Sequence, residues 1–185
     1  MIDKELSGEI FSGEQIVLIG ITGTPGTGKT LVANELRFRG IPVLDLKTTV
    51  QDFILEHDDE IGADIIDIDA WAEQNTDIDG FVEGAIAHYL PCDKIIVLRC
   101  RPDILMRRLA SRGYSERKVK ENAEAEALDV ILIEAVDAFP TEQIYEIDTT
   151  IINKNNVVDR ILAFSEGKLS ASFGSLDWSG YVVNL

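Results

Sequence analysis

The chain alternates between short apolar runs and segments with helical spacing of apolar residues. Residues 15–22 form a nearly continuous apolar run, which is typical of a central strand of a parallel sheet that is buried on both faces. The segment 29–39 then carries an apolar helical stripe, and Gly40 supplies a natural helix end. Residues 41–46 predict a second, short strand.

The same alternation continues to residue 167. Further strands are predicted over 80–84, 93–100 and 142–150, and further helices over 102–113, from Ser115 to about Phe139 and over 155–167. Strands that alternate with helices are typical of parallel sheets covered on both faces. The sequence therefore predicts an α/β protein, a three-layer α/β/α fold with a mostly parallel sheet of about five strands.

Residues 47–79 give the weakest pattern. The segment 48–60 is compatible with a short helix, and another helix is predicted to begin near Asp67 or Asp69. These two carboxylates resemble a pair of metal ligands, but a helical stretch follows them directly. We therefore interpret them as helix caps.

Composition indicates an ordinary folded protein with an unusual charge. The 185 residues suggest one domain, and 45% hydrophobic residues exclude disorder as the main state. The net charge of −16 disfavours adhesion to DNA or to anionic membranes. The acidic, polar N-terminus does not resemble a signal peptide, and no apolar run reaches membrane-spanning length. Two cysteines fit no metal spacing, so we expect a cytoplasmic protein with free thiols.

The positive charge is concentrated in one place. Eight of the 17 basic residues fall within the 22 positions from Arg99 to Lys120, whereas the interval 40–98 contains only Lys47 and Lys94. An anionic substrate needs a local basic site on such an acidic chain, and this cluster predicts where it lies.

Residues 23–30, GTPGTGKT, match the phosphate-loop motif G-x-x-x-x-G-K-[ST] in full. The glycines let backbone N–H groups turn toward phosphate oxygens, and Lys29 places a positive charge on the β- and γ-phosphates. The hydroxyl of Thr30 is a ligand for Mg²⁺, and the following helix directs its N-terminus at the anion. The motif lies between a predicted strand and a predicted helix, as this chemistry requires.

The class of phosphate-loop protein follows from the rest of the chain. A GTPase needs N-K-x-D, but Asn156 stands where the motif after Asn153 and Lys154 requires Asp. Large ATPase machines need additional modules that 185 residues do not offer. A small nucleotide kinase fits best, since it needs only the loop, an acceptor region and an Arg-rich lid.

Five segments in order resemble one family. GTPGTGKT, VEGAIAHYLP, IIVLRCRP, RGYSERKVKENAEAEALDVIL and EIDTT are similar to motifs of the adenylate kinase isoenzyme 6-like family, which comprises archaeal adenylate kinase-like proteins and eukaryotic nuclear relatives. The resemblance covers about 15–165. It implies one nucleoside-monophosphate kinase domain over 1–165, followed by a C-terminal extension over 166–185, which we expect to be loose or docked on the surface.

The resemblance also implies roles for individual residues. The acceptor region would span about 45–66 and the lid about 111–121. Glu83 would hold Mg²⁺ with Thr30, and Lys29, Glu83 and Arg112 would be the catalytic residues. The residues implied to bind ATP are Gly26, Thr27, Gly28, Lys29, Thr30, Leu31 and the lid arginine Arg112.

Three positions depart from the family pattern. Ala85 stands where an acid-x-His motif has histidine, and His88 is either a substitute or a structural residue. The acceptor region, which begins near Asp45, contains no arginine, so either Lys47 or Arg99 clamps AMP, or AMP binds weakly. Ile151 replaces a common glycine on the adenine side.

Three functions remain open at this point. The first is an ATP- and Mg²⁺-dependent kinase that phosphorylates AMP. The second, implied by the eukaryotic relatives, is an ATPase in small-ribosomal-subunit maturation with a platform ribosomal protein as partner. A basic partner of that kind suits the charge of −16. The third, a nucleotide-binding protein without turnover, is disfavoured because Lys29, Thr30, Glu83 and Arg112 are all present.

Overall fold

The computed structural model describes residues 17–58, 63–151 and 153–184. Within these residues the strands are β1 (Leu18–Thr22), β2 (Val43–Asp45), β3 (Ile54–Asp58), β4 (Ala63–Ile66), β5 (Gly80–Glu83), β6 (Lys94–Arg99) and β7 (Ile144–Asp148). The helices are α1 (Lys29–Phe38), α2 (Ile68–Gln74), α3 (Pro102–Ala110), α4 (Glu116–Ala127), α5 (Val130–Ala138) and α6 (Lys154–Ser165). The polar N-terminus and the first two residues of the predicted strand 15–22 lie outside the described residues.

Five of these strands form one parallel sheet in the order β2-β5-β1-β6-β7. One face is covered by α1 and α6, and the other by α2 and α5. The prediction of a three-layer fold around a five-stranded parallel sheet is confirmed. The carboxyl ends of all five strands meet at one edge, where ligands of such sheets bind.

The central strand β1 shows why the sheet is stable. Ile19 and Ile21 pack with the α1 and α6 side, while Leu18 packs on the opposite face with Trp71 and Leu132. An apolar residue at nearly every position is therefore needed, as the unbroken apolar run predicts. None of the helices in the described residues is long and apolar enough to cross a bilayer.

The predicted helix over 48–60 is wrong. Two short 3-10 turns, Leu46–Thr48 and Gln51–Phe53, lead into an antiparallel hairpin of β3 and β4, in which Ile54 lies opposite Ile66. Most side chains of the hairpin are exposed, so a helix here would have no core against which to bury an apolar face. Strand pairing satisfies the backbone, and β-branched isoleucines suit it.

The helix predicted after this segment is confirmed. Helix α2 begins at Ile68, and the Asp67 carboxylate accepts a hydrogen bond from the Ala70 N–H at 3.0 Å. Asp67 is therefore a cap and Asp69 lies in the first helical turn, as interpreted from the sequence.

The single long helix predicted from Ser115 to about Phe139 is instead two helices. Ser115 is the expected N-cap, accepting from the Lys118 N–H at 3.3 Å. The break falls at Asp129, whose φ of 57° lies in the left-handed region. This backbone turn brings the Asp129 carboxylate onto the Arg99 guanidinium, a long-range contact that periodicity does not reveal.

The C-terminal segment docks on the domain. Ser172 forms a parallel bridge with Tyr145 of β7, and Trp178 is buried. A 3-10 helix over Ser179–Asn184 packs against α4.

Candidate nucleotide site

The phosphate loop lies between β1 and α1 at the carboxyl edge of the sheet. Gly23, Gly26 and Gly28 have φ values of 139°, 95° and 104°. A Cβ atom on Gly23 would lie 2.3 Å from the Leu98 carbonyl oxygen, so only glycine fits there. Gly28 is the residue before α1, and the unpaired N–H groups of the first helical turn therefore face the loop.

Lys29 reaches back across this loop. Its ammonium donates to the carbonyl oxygens of Gly23 at 2.5 Å and Thr24 at 3.2 Å. Burial lowers the pKa of Lys29 to about 8. A bound phosphate would favour the charged form and oppose this effect.

Charges from four other parts of the chain act on Lys29. Glu83 and Glu126 raise its pKa, whereas the positive charges of Lys47 and Arg112 lower it further. Lys47 belongs to the acceptor region and Arg112 to the exposed turn between α3 and α4. Cations from the predicted acceptor region and the predicted lid thus lie within electrostatic range of the phosphate loop.

Glu83, at the end of β5, is buried beside Thr30. The Thr30 hydroxyl donates to its carboxylate, while its Oε1 has no hydrogen-bond partner among the described residues. Burial and the nearby Asp45 raise the pKa of Glu83, and Thr30, Lys29 and Arg37 oppose that shift. An unpartnered buried carboxylate oxygen next to a hydroxyl fits Mg²⁺, which prefers oxygen ligands.

A cation at this point would need other ligands as well. The described residues contain no group of three His, Cys, Asp or Glu side chains able to hold a metal ion. Mg²⁺ bound through few protein oxygens takes substrate phosphates and water to complete its shell. Thr30 and Glu83 therefore fit a metal that arrives with a nucleotide.

The segment predicted as the acceptor region begins directly beside Glu83. Asp45 ends β2 and lies in register with Glu83 across the parallel pair. Its carboxylate accepts from the Lys47 N–H at 3.0 Å, which starts a short 3-10 turn and leaves the Lys47 side chain exposed. Asp45 and Lys47 thus lie at the same edge as the phosphate loop.

Arg99 lies elsewhere. Strands β2 and β6 are separated by β5 and β1, which puts their axes about 14 Å apart across the sheet. Arg99 is buried, and its guanidinium is bonded to Glu126 and Glu146, each at 2.8 Å, and to Asp129. The structure does not bring Arg99 together with Lys47.

Comparison with known proteins decides the family. The family described as "AAA domain" matches residues 19–129. A protein named "Putative adenylate kinase" from Archaeoglobus fulgidus is 42% identical over 170 residues, which are 88% of this chain and 92% of that protein. Proteins of the same name from Natronomonas pharaonis and Methanothermobacter thermautotrophicus are each 40% identical, over 89% and 90% of this chain and 99% of their own. The chain belongs to this archaeal adenylate kinase family.

Solved structures agree on the fold of this family member. The YorR protein of Bacillus subtilis, in complex with phosphorylated GDP, superposes with a TM-score of 0.58 at 14% identity, over 82% of this chain and 96% of that one. Shikimate kinase from Acinetobacter baumannii gives 0.57 at 16% identity, over 84% and 96%. At such low identity the likeness shows a phosphate-loop kinase fold and nothing finer.

A second arginine of this family member was missed by sequence reasoning. Arg108 donates to the carbonyl oxygens of Thr149 at 2.7 Å and Thr150 at 3.0 Å, and lies 3.4 Å from that of Gly26. The Thr149 hydroxyl in turn lies 2.6 Å from the Thr27 carbonyl oxygen. Arg108 therefore ties the end of β7 to the phosphate loop. The sequence feature that could have pointed to Arg108 is its position in the basic cluster between Arg99 and Lys120.

His88 is integrated into the support of the loop. The ring is buried, with Nδ1 3.0 Å from the Thr22 hydroxyl and Nε2 3.0 Å from a Glu134 carboxylate oxygen. The Thr22 hydroxyl also donates to the Ala85 carbonyl at 3.1 Å. Burial lowers the pKa of His88, and Glu134 opposes this. These contacts favour a structural role for His88 over a role as substitute for the histidine that Ala85 replaces.

Proposed function

We propose that the protein transfers the γ-phosphoryl group of ATP to AMP with Mg²⁺, forming two molecules of ADP. The observation that carries this proposal is that Lys47 follows Asp45, which pairs with Glu83 at the edge of the sheet that holds the phosphate loop, and that Lys47 and Arg112 both act electrostatically on Lys29. Hydrolysis requires no cation from an acceptor segment, whereas a phosphate acceptor beside ATP brings additional negative charge that must be compensated. Membership of the archaeal adenylate kinase family supports the same reaction.

Each residue has a definite task in this proposal. The loop N–H groups of Gly26, Gly28 and Thr30 cradle the ATP phosphates, and Lys29 contacts the β- and γ-phosphates. Arg112 approaches the transferred group from the lid, and Lys47 holds the AMP phosphate.

Thr30 and Glu83 would hold Mg²⁺, Glu83 directly or through water. When bound, Mg²⁺ would neutralise charge that develops on the transferred group. Leu31 follows the loop in α1 and is proposed to contact ATP through its backbone.

Ala85 is compatible with a phosphate acceptor. A hydroxyl acceptor must lose a proton during transfer, and a histidine would serve as its base. The attacking oxygen of AMP is already ionised near neutral pH, so the P–O bond forms as the bond to the ADP leaving group breaks, with no proton to remove. The site therefore suits a monophosphate better than an alcohol.

A coupled assay of ADP formation tests the proposal. Purified protein is given Mg²⁺ and ATP alone, or ATP with AMP, GMP, CMP or UMP, and Lys29→Ala serves as the inactive control. Transfer to AMP predicts ADP formation well above the rate with ATP alone. A rate indifferent to all four monophosphates refutes the kinase and leaves an ATPase.

The ATPase alternative rests on one specific observation. The acceptor region offers a single exposed lysine and no arginine among its described residues, which is a weak clamp for a phosphate. In that alternative the cytoplasmic protein would hydrolyse ATP while bound to a basic ribosomal protein of the small subunit.

A further inference from the structure

Thr24, the second residue of the phosphate motif, connects the loop to α4, the helix that follows the predicted lid turn and is called the lid helix below. Its side chain is buried, and its hydroxyl donates to a carboxylate oxygen of Glu126. Its carbonyl oxygen accepts from the Thr27 N–H at 3.2 Å and hydroxyl at 2.8 Å and from Lys29 at 3.2 Å. The Thr24 carbonyl therefore accepts hydrogen bonds from other residues of the loop, while its side chain donates to Glu126, which lies outside the loop.

Glu126 is that partner, in the last turn of α4, the helix that follows the lid turn. It is buried, and its second oxygen accepts from Arg99 at 2.8 Å and from the Cys100 N–H at 2.9 Å. Both carboxylate oxygens are thus committed, one to the sheet edge and one to the phosphate loop. A displacement of the end of α4 would therefore stretch or break the hydrogen bond between Glu126 and Thr24.

The surroundings of Glu126 argue against a role in stability alone. Arg99 faces three carboxylates, those of Glu126, Asp129 and Glu146, and the ring of Trp178 lies 5.0 Å from its guanidinium. A buried ion cluster is no more stabilising than well-packed apolar residues of the same volume. Among the carboxylates of this cluster, Glu126 is the one whose oxygen the phosphate loop contacts.

We propose that Glu126 is a positioning residue for the donor phosphates: it fixes the phosphate loop through the Thr24 hydroxyl and couples the loop to the lid helix. This inference rests on the proposed function only in taking ATP as the donor.

Paired variants on both sides of the hydrogen bond test it. Thr24→Val removes the hydroxyl at constant shape, Thr24→Ser retains it, and Glu126→Gln removes the charge. Affinity for ATP–Mg²⁺ is measured by calorimetry, and the ³¹P shift of the bound β-phosphate reports loop geometry. We expect Thr24→Val and Glu126→Gln each to weaken ATP binding about tenfold, with a changed ³¹P shift, and Thr24→Ser to stay near the parent value.

The double variant Thr24→Val, Glu126→Gln decides whether the two residues act as a unit. It should bind ATP about as weakly as the weaker single variant, because both substitutions act on the same hydrogen bond. Glu146→Gln is the matched control: it removes a carboxylate from the same cluster without touching Thr24, and should lower the unfolding temperature while ATP affinity stays within about twofold.

Three results would overturn the inference: additive losses in the double variant, equal losses in Thr24→Val and Thr24→Ser, or an equal loss in Glu146→Gln. If Glu126→Gln does not fold, the comparison of Thr24→Val with Thr24→Ser still tests whether the hydroxyl positions the loop. None of these measurements uses AMP, so a protein that fails to transfer phosphate to AMP would refute the proposed function and leave this inference to be judged by ATP binding alone.

Discussion

The phosphate loop and the acceptor region meet at the same edge of the sheet but differ in construction. In the loop, Thr24 and Thr27 are buried, and hydrogen bonds reach it from α4 and from the end of β7. The acceptor region consists of two 3-10 turns and a hairpin whose Leu55 side chain is 67% exposed. The donor side is therefore held by neighbouring elements before a nucleotide arrives, whereas the proposed acceptor side is more exposed to solvent.

The largest effect should follow from removing the loop cation. Lys29→Ala is expected to lower phosphotransfer by about a thousandfold, because a preorganised charge at the transferred group is lost. Steady-state ADP formation measures it, and circular dichroism confirms that the variant folds. Activity within a factor of two of the parent would contradict the preorganised donor side.

Glu83→Gln should have the next largest effect. The variant keeps the shape but loses the charge that would face Mg²⁺, so Mg²⁺-dependent turnover should fall by about a hundredfold, with a higher Mg²⁺ requirement. A titration of rate against Mg²⁺ measures both.

Glu35→Gln is the control for Glu83, because it removes another buried carboxylate that pairs with Arg39 and Lys154 on α1 and α6. Equal losses in the two variants would show that Glu83 acts through stability.

The lowered pKa of Lys29 predicts a pH dependence of ATP binding. Below its pKa of about 8 the free protein already carries the ammonium, so affinity should be flat. Above that pH the free lysine is neutral, and a phosphate that needs the charged form must bind together with a proton. Affinity should then fall by about tenfold per pH unit.

Calorimetry in two buffers of different ionisation enthalpy measures this proton uptake. Net uptake should approach one proton above pH 8 and vanish well below it. Binding that takes up no proton on the alkaline side would mean that Lys29 does not face the phosphates.

The smallest effect is expected on the acceptor side. Lys47→Ala should raise the apparent KM for AMP about fivefold while ATP affinity is unchanged, since an exposed cation contributes little. Lys168→Ala, which removes an exposed lysine of the C-terminal segment, is the matched control. A KM for AMP that stays at the parent value would exclude Lys47 as the clamp.

The two regions also differed in how well the sequence predicted them. The phosphate motif specifies its own backbone, since glycines at 23, 26 and 28 take positive φ and the flanking apolar run buries β1. The acceptor hairpin was predicted as a helix because Phe53, Ile54 and Leu55 form a short apolar run that suits either structure. Its strand pairing is decided by partners five to twelve residues away along the chain.

Long-range ion pairs account for the other differences. Arg99 was considered as an AMP ligand because the sequence does not reveal the ion-pair partners of an arginine at the end of a strand. In the structure these partners lie on α4, at the break between α4 and α5, and on β7. Glu126 did carry a signal: helical spacing places it on the same side as Val119 and Ala123, an apolar face. A lone carboxylate on such a face requires a buried partner.

The burial of the two tryptophans gives each region its own optical reporter. Trp71 is fully buried and donates to the Thr49 hydroxyl at 2.9 Å, just after the acceptor turn. Trp178 lies over Arg99, next to the carboxylate that holds the phosphate loop. With either indole replaced by phenylalanine, the fluorescence of the remaining one follows one half of the site, so two single-tryptophan variants report donor and acceptor binding separately.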